Sequence, residues 1–276
     1  MPNRQQPSKW HHYVPSGYLA NFTTSMGGLY GYNKRTGRSF QHAKPRDVAA
    51  ADHFHTDPRR EDPLELERRL DREFEAPLLR VINRVLGRVR LERAGLPPHG
   101  PLVTADEQFE LAKFVALQMV RTQKTRAEME QVAPKYRTSG MTLNDEDVGR
   151  YAHLGLLEQH MQDDFAWFGG TIAQNRLTFL VPLDNQAFWV SDHPTLVGRG
   201  TDDGRAFWGG VGLKDERLEL YLPLAWDVTA VFVGKHVRRL PRVIEMRAEQ
   251  VEQRNLMTFK AADVLVLGRS PIAPAP

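Results

Sequence analysis

Three short segments of the 276-residue chain carry polar side chains in places where packing does not require them. The first is Trp10-His11-His12-Tyr13-Val14-Pro15, two adjacent imidazoles between aromatic residues with a proline fixing the chain just afterwards. In an extended segment His11 and His12 point to opposite sides, so one of the two faces any given pocket. An imidazole that titrates near neutral pH serves as acid, base or metal ligand. It serves equally as a hydrogen-bonded anchor for an N-terminal arm.

The second segment holds Gln118 and Arg121, three residues apart and therefore side by side on a helix, with Thr122 and Thr125 continuing the row. Phe109, Leu111, Ala112, Phe114, Val115, Ala116, Leu117, Met119 and Val120 make nearly every face of that helix apolar, which implies burial. A buried guanidinium needs a carboxylate or a bound anion, because isolated charge in low dielectric is very costly. Asp192 is the carboxylate expected there, in a structural pair or a working one. The third segment, Ser191-Asp192-His193-Pro194, follows a strand-like run and sits where a strand end holds a residue at the rim of a cleft. Read as a turn, its Asp accepts local amides. Ser191 lacks the Gly-x-Ser-x-Gly context of a nucleophile elbow.

Two other histidine groups have metal-ligand spacing. Asp52-His53-Phe54-His55 places His53 and His55 on one side of an extended chain, and His153, His160 and Asp164 align along a helix. Neither forms a complete zinc motif, and each reads either as a set of metal ligands or as solvent-facing side chains.

The elements that must position these residues follow from periodicity and punctuation. Leu29–Asn33 and Arg38–Gln41 read as two strands around a Gly-containing turn. Apolar residues recur at helical spacing from Pro63 to about Arg93, with a kink or break expected at Pro77. Thr104 with Glu107 has the capping-box spacing and opens a helix predicted to run to about Gln131. A third helix is expected from Asp145 to about Ala173, bent or ended by Gly169-Gly170. Strand-like runs then follow at Leu177–Val181, Ala187–Val190, Leu218–Leu222 and Val228–Val233. A helix over Ala248–Ala261 and a strand at Val264–Leu267 complete the series.

Helices gathered between strands predict an α+β fold: central buried helices, an N-terminal β-hairpin and a mostly antiparallel C-terminal sheet. One domain over 1–276 is expected, with sublobes at 1–60, 61–175 and 176–270. No Gly-rich phosphate loop follows a strand, so nucleotide fingerprints are absent.

Composition narrows the classes. With 41% hydrophobic and 26% charged residues, the chain can build a sizeable core. It has no cysteine, which removes disulfides, thiolate zinc sites and cysteine nucleophiles and leaves any metal to His, Asp and Glu. No secretory signal and no spanning apolar run can be read, so a cytoplasmic protein without membrane partners is expected. The net charge is +3, and Arg80, Arg84, Arg88, Arg90 and Arg93 crowd one helix. Such a stripe meets nucleic-acid phosphates or is simply a solvated face.

The series His11-His12-Tyr13-Val14-Pro15, Tyr18-Leu19-Ala20-Asn21-Phe22, Gly28-Leu29-Tyr30, Gln118 with Arg121, Ser191-Asp192-His193-Pro194, Leu222-Pro223-Leu224 and Asn255 runs through the whole chain. In that order it resembles the bacterial proteins of domain of unknown function 4238. The family pattern has Asn where His193 stands and typically Tyr where His55 follows Phe54. The resemblance guides the choice of residues and supplies no reaction.

The leading expectation is a hydrolase in which His11 or His12, Asp192 and Arg121 converge, with Gln118 and Arg121 stabilising an anionic oxygen. A divalent metal is the cofactor to test, with His12, Asp192 and His193 as candidate ligands. Nucleic acid or another phosphodiester is the expected anionic ligand. The competing expectation is a nonenzymatic nucleic-acid or protein binding module, of the kind used in bacterial stress or phage defence, whose polar residues lock the N-terminal arm onto the helices.

Overall fold

The computed structural model describes residues 9–96, 100–132, 145–163, 165–200, 206–207 and 212–273. The N-terminal elements are β1 (Trp10–His12), α1 (Ser16–Leu19), β2 (Leu29–Asn33), β3 (Arg38–Ala43) and β4 (Ala50–Asp52). The helical middle comprises α2 (Glu65–Arg69), a π-helical segment (Leu70–Glu75), α3 (Ala76–Arg93), α4 (Ala105–Val120), α5 (Gln123–Val132), α6 (Asp145–Gln162) and α7 (Ala166–Ala173). Then come β5 (Arg176–Pro182), β6 (Val190–Ser191), β7 (Leu196–Gly200), β8 (Ala206–Phe207), β9 (Leu218–Ala225), β10 (Val228–Val233), β11 (Val243–Met246), α8 (Ala248–Ala261) and β12 (Leu265–Gly268). This is the expected α+β arrangement.

Three sheets frame the helices. A six-stranded sheet has the order β11-β5-β10-β9-β7-β8, with β11 parallel to β5 and the other neighbours antiparallel. Its central strand β10 is buried along its whole length, and Val228-Thr229-Ala230-Val231-Phe232-Val233 is accordingly a near-continuous apolar run. A four-stranded antiparallel sheet, β3-β2-β12-β6, inserts the C-terminal strand between the N-terminal hairpin and β6. The small pair β1-β4 carries the N-terminal histidines.

Helix α4 threads the core, with Leu111, Phe114, Val115, Leu117 and Gln118 all buried. The capping box forms as its sequence predicts: the Glu107 amide donates to Thr104 Oγ1 at 3.2 Å and the Thr104 amide donates to Glu107 Oε2 at 3.1 Å. The helix stops at Val120, short of the expected Gln131, and α5 starts afresh at Gln123. Thr125 Oγ1 donates to the Met119 carbonyl at 2.7 Å and lies 3.2 Å from Thr122 Oγ1, so side chains take up bonds the backbone gives up at the break.

Pro77 does not break its helix. A proline cannot donate to the carbonyl four residues back and crowds it, and the wider π-turns over Leu70–Glu75 immediately before Ala76-Pro77 absorb that misfit. The expected third helix divides at Phe165, whose φ of 53° is left-handed, and not at Gly169-Gly170. Gly169 instead lies inside α7, where a Cβ would come within 2.8 Å of the Lys113 side chain on α4. Among the described residues no helix is long and apolar enough to cross a membrane.

Candidate functional site

Strand β1 alternates as an extended segment must: His11 is 1% exposed and His12 turns outward, its Nε2 3.1 Å from the Arg46 carbonyl. After β4 the chain is not extended. His53 adopts a φ of 53°, which leaves its own ring outside near Thr56 Oγ1 at 3.3 Å and sends Phe54 and His55 into the interior. His53 and His55 therefore do not form a pair. His55, 0% exposed, is not the solvent-facing residue its surroundings in the sequence suggest.

His55 joins His11 and Glu67. Its backbone amide donates to His11 Nδ1 at 3.0 Å, and its own Nδ1 lies 2.6 Å from Glu67 Oε2. Glu67, on α2, also stands 3.8 Å from His11 Nδ1. One donor atom from each of the three residues falls within 4.8 Å of the others. The partners assign the tautomer of His55: Nδ1 carries the proton given to Glu67, and the lone pair of the buried Nε2 has no partner among the described residues. Burial, reinforced by the charges of Arg121 and Arg126, holds the His55 imidazole well below its ordinary 6.5, so it is neutral. Burial raises the Glu67 carboxyl, while Arg121 opposes the rise.

Arg121 sits where α4 ends and is 0% exposed. Its Nη2 donates to the His12 carbonyl and to Glu75 Oε1, the latter at 2.8 Å. The expected partner, Asp192, is replaced by Glu75 of the π-helical segment. Arg121 Nε and Nη1, together with both amide atoms of Gln118 one turn earlier, are buried with no partner among the described residues.

Asp192 is bound elsewhere. Its Oδ1 accepts from the Asp263 amide at 3.0 Å, and its Oδ2 accepts from the amides of Val264 and Leu265 at 2.7 and 2.8 Å. It clamps the connection from α8 to β12, a long-range version of the turn that its flanking residues suggest. Burial pushes its carboxyl up to about 6 against the pull of those three amides. Ser191 Oγ donates to the His193 carbonyl at 2.7 Å, and His193 Nδ1 lies 2.9 Å from Thr122 Oγ1. His12, Asp192 and His193 thus have three separate sets of partners and do not converge as a ligand set.

The other histidine row is structural. His153 Nε2 lies 2.8 Å from the Val120 carbonyl while its Nδ1 lies 3.1 Å from Arg126 Nη2, and the His160 ring stacks on Phe165 with centroids 5.5 Å apart. Asp164 lies outside the described residues. Arg126 itself lies 3.6 Å from the Phe54 ring centroid and donates to the Phe54 carbonyl at 2.5 Å, and Arg150 donates to the Thr56 carbonyl at 2.8 Å. Both carbonyls flanking His55 are therefore held. Sequence reasoning found His11, Gln118 and Arg121 but missed Glu67 and Glu75. The one available signal was their place directly after the core residues Leu66 and Phe74, at the border of an apolar helix face.

The family model described as Protein of unknown function (DUF4238) matches residues 10–271. The chain belongs to that family. Neither a curated protein nor a solved structure matches it. The matched span of the DUF4238 model contains every residue of the His11–His55–Glu67 cluster, as well as Gln118, Arg121 and Asp192.

Proposed function

We propose that the chain is a hydrolase whose centre is the cluster of His11, His55 and Glu67, with Arg121 and Gln118 as the groups that meet an anionic substrate. The observation that supports this is the meeting of two imidazoles and a carboxylate from distant segments, near enough to Arg121 to feel its charge, with polar atoms of His55, Gln118 and Arg121 left without partners among the described residues. The Glu67 side chain is 26% exposed and Glu75 15%, so solvent reaches the cluster along its carboxylate edge.

In this reading Glu67 orients His55 through Nδ1–H, and Nε2 accepts a proton from the attacking water. The water oxygen forms the new bond, the ester bond breaks, and the proton passes to the departing oxygen. Arg121 Nε and Nη1 and Gln118 Nε2 donate to the oxygen that gains charge. A phosphodiester suits a site whose cation is a guanidinium with unused donors. The experiment is hydrolysis of bis(p-nitrophenyl) phosphate and of single- and double-stranded nucleic acid by the purified protein. Activity lost in a folded His55→Asn variant supports the proposal. A wild-type protein inert on all three substrates overturns it.

A second reading rests on the bond from Arg121 to the His12 carbonyl, which ties β1 to the end of α4. Here the polar group is a lock in a nonenzymatic binding module, and Arg121→Ala and His11→Ala lower the melting temperature markedly. The basic face of α3 lends that module less charge than its sequence suggests. Arg84 and Arg88 pair with Glu107, and Arg90 makes a two-pronged pair with Asp227 at 2.7 and 2.8 Å. Binding to nucleic acid through phosphates must weaken steeply as salt rises, and a salt-independent affinity would remove that partner.

A further inference from the structure

We infer that His11, His55 and Glu67 form a binding site for one divalent transition-metal ion of the zinc class. The inference rests on the reading that this cluster is the functional centre and revises one role in it: an ion on His55 Nδ1 leaves the imidazole proton on Nε2, so with the ion bound His55 is a ligand and not the base. Two imidazoles with one carboxylate are a donor set suited to borderline first-row divalent ions, whereas magnesium and calcium take predominantly oxygen ligands. The chain offers no thiolate, so histidine and carboxylate are the strongest ligands it has.

The geometry supports it. Zinc takes nitrogen at about 2.0–2.1 Å and carboxylate oxygen at about 2.0–2.2 Å in a tetrahedral arrangement, which sets donor atoms roughly 3.3 Å apart. The separations around Glu67 Oε2, 2.6 Å to His55 Nδ1 and 3.8 Å to His11 Nδ1, straddle that value. The short contact between His55 and Glu67 is bridged by a proton. A metal ion takes the place of that proton, opens the contact by a fraction of an ångström and draws in His11 Nδ1, which gives up the His55 amide.

The surroundings fit an ion as well. His11 and His55 wall off the inner side, while the partly exposed Glu67 leaves the outer side as a path of entry and a fourth position. Arg126 and Arg150 grip the carbonyls of Phe54 and Thr56, so the backbone on both sides of His55 is fixed before an ion arrives. The nearby positive charge of Arg121 would oppose a cation, and its pairing with Glu75 offsets that effect.

The test is calorimetric titration of tag-free, chelator-stripped protein with zinc sulfate at pH 7, in two buffers of different ionisation enthalpy. One zinc per chain with a heat nearly independent of the buffer is expected, since the neutral His55 keeps its proton and moves it from Nδ1 to the unpartnered Nε2 as the ion takes Nδ1. Glu67→Gln, nearly isosteric and at a partly exposed position, should stay folded by circular dichroism and bind at least ~100-fold more weakly. His55→Asn should behave alike, and His12→Ala should bind as the wild type does. No zinc binding by the folded wild type, or undiminished binding by folded Glu67→Gln, overturns the site. Zinc binding without phosphodiester hydrolysis supports the site and removes the hydrolase reading. Hydrolysis that survives stripping, with no zinc bound, removes the site and leaves that reading standing.

Discussion

Asp192 and Glu67 are both carboxylates drawn out of water, and their partners give them different work. Asp192 satisfies three backbone amides in one connection, a duty no reaction could share without unravelling the join between α8 and β12. Asp192→Ala should leave those amides unsatisfied and destabilise the protein by about 2–4 kcal/mol, read as a shift in the urea midpoint. Any activity lost in that variant should follow the fraction unfolded. Glu67 faces the imidazoles of His55 and His11 and retains contact with solvent, so its removal should spare the fold and abolish function. A Glu67→Gln protein with wild-type hydrolysis would count against the proposed centre.

The helices show what periodicity can and cannot deliver. Thr104→Ala should cost about 1 kcal/mol through the lost cap, measured by thermal denaturation. The loss could run somewhat higher, because Glu107 uses the same geometry to hold Arg84 and Arg88. Such caps, the span of α8, the hairpin of β2 with β3 and the strand β10 were legible because local spacing determines them. The breaks after Val120 and at Phe165 were not, because no glycine or proline marks either and tertiary bonds decide where the backbone turns. The same division holds for the candidate site. His11, Gln118 and Arg121 stand out against apolar neighbours, and alternation along β1 correctly demands that one of the two histidines turn inward. Glu67 and Glu75 look like ordinary solvated acids of an amphipathic helix, and only the π-turns between them and the folding of β1 onto this region reveal their partners. His55 was misjudged because the left-handed turn at His53, invisible in composition, reverses which side chains go inside.

At the scale of the whole molecule, buried neutral histidines determine the response to acid. Burial holds His193 at about 4 and His153 at about 3, both under the ordinary 6.5, so between those limits the unfolded chain binds more protons than the native one. Their stabilisation is complete above about pH 6.5 and is lost as the pH falls through about 4 and then about 3. Asp192, raised to about 6, works in the opposite sense, its contribution declining as the pH rises through that value. Two histidines outweigh one carboxyl, so the melting temperature should drop on acidification from pH 6.5 to 4. His193→Asn should flatten the slope, removing on the order of 2–3 kcal/mol of its pH dependence. A melting temperature that holds constant or rises over that range would contradict this assignment. Strand β12 has a consequence of another kind. It pairs with β2 across almost the whole chain, and Lys34 reaches the Ala262 carbonyl 228 residues away. A ribosome therefore releases the hairpin long before the strand that completes its sheet. Until then one hairpin edge is an open template for any extended peptide nearby, which makes the nascent chain a natural client for chaperones and a slow finisher.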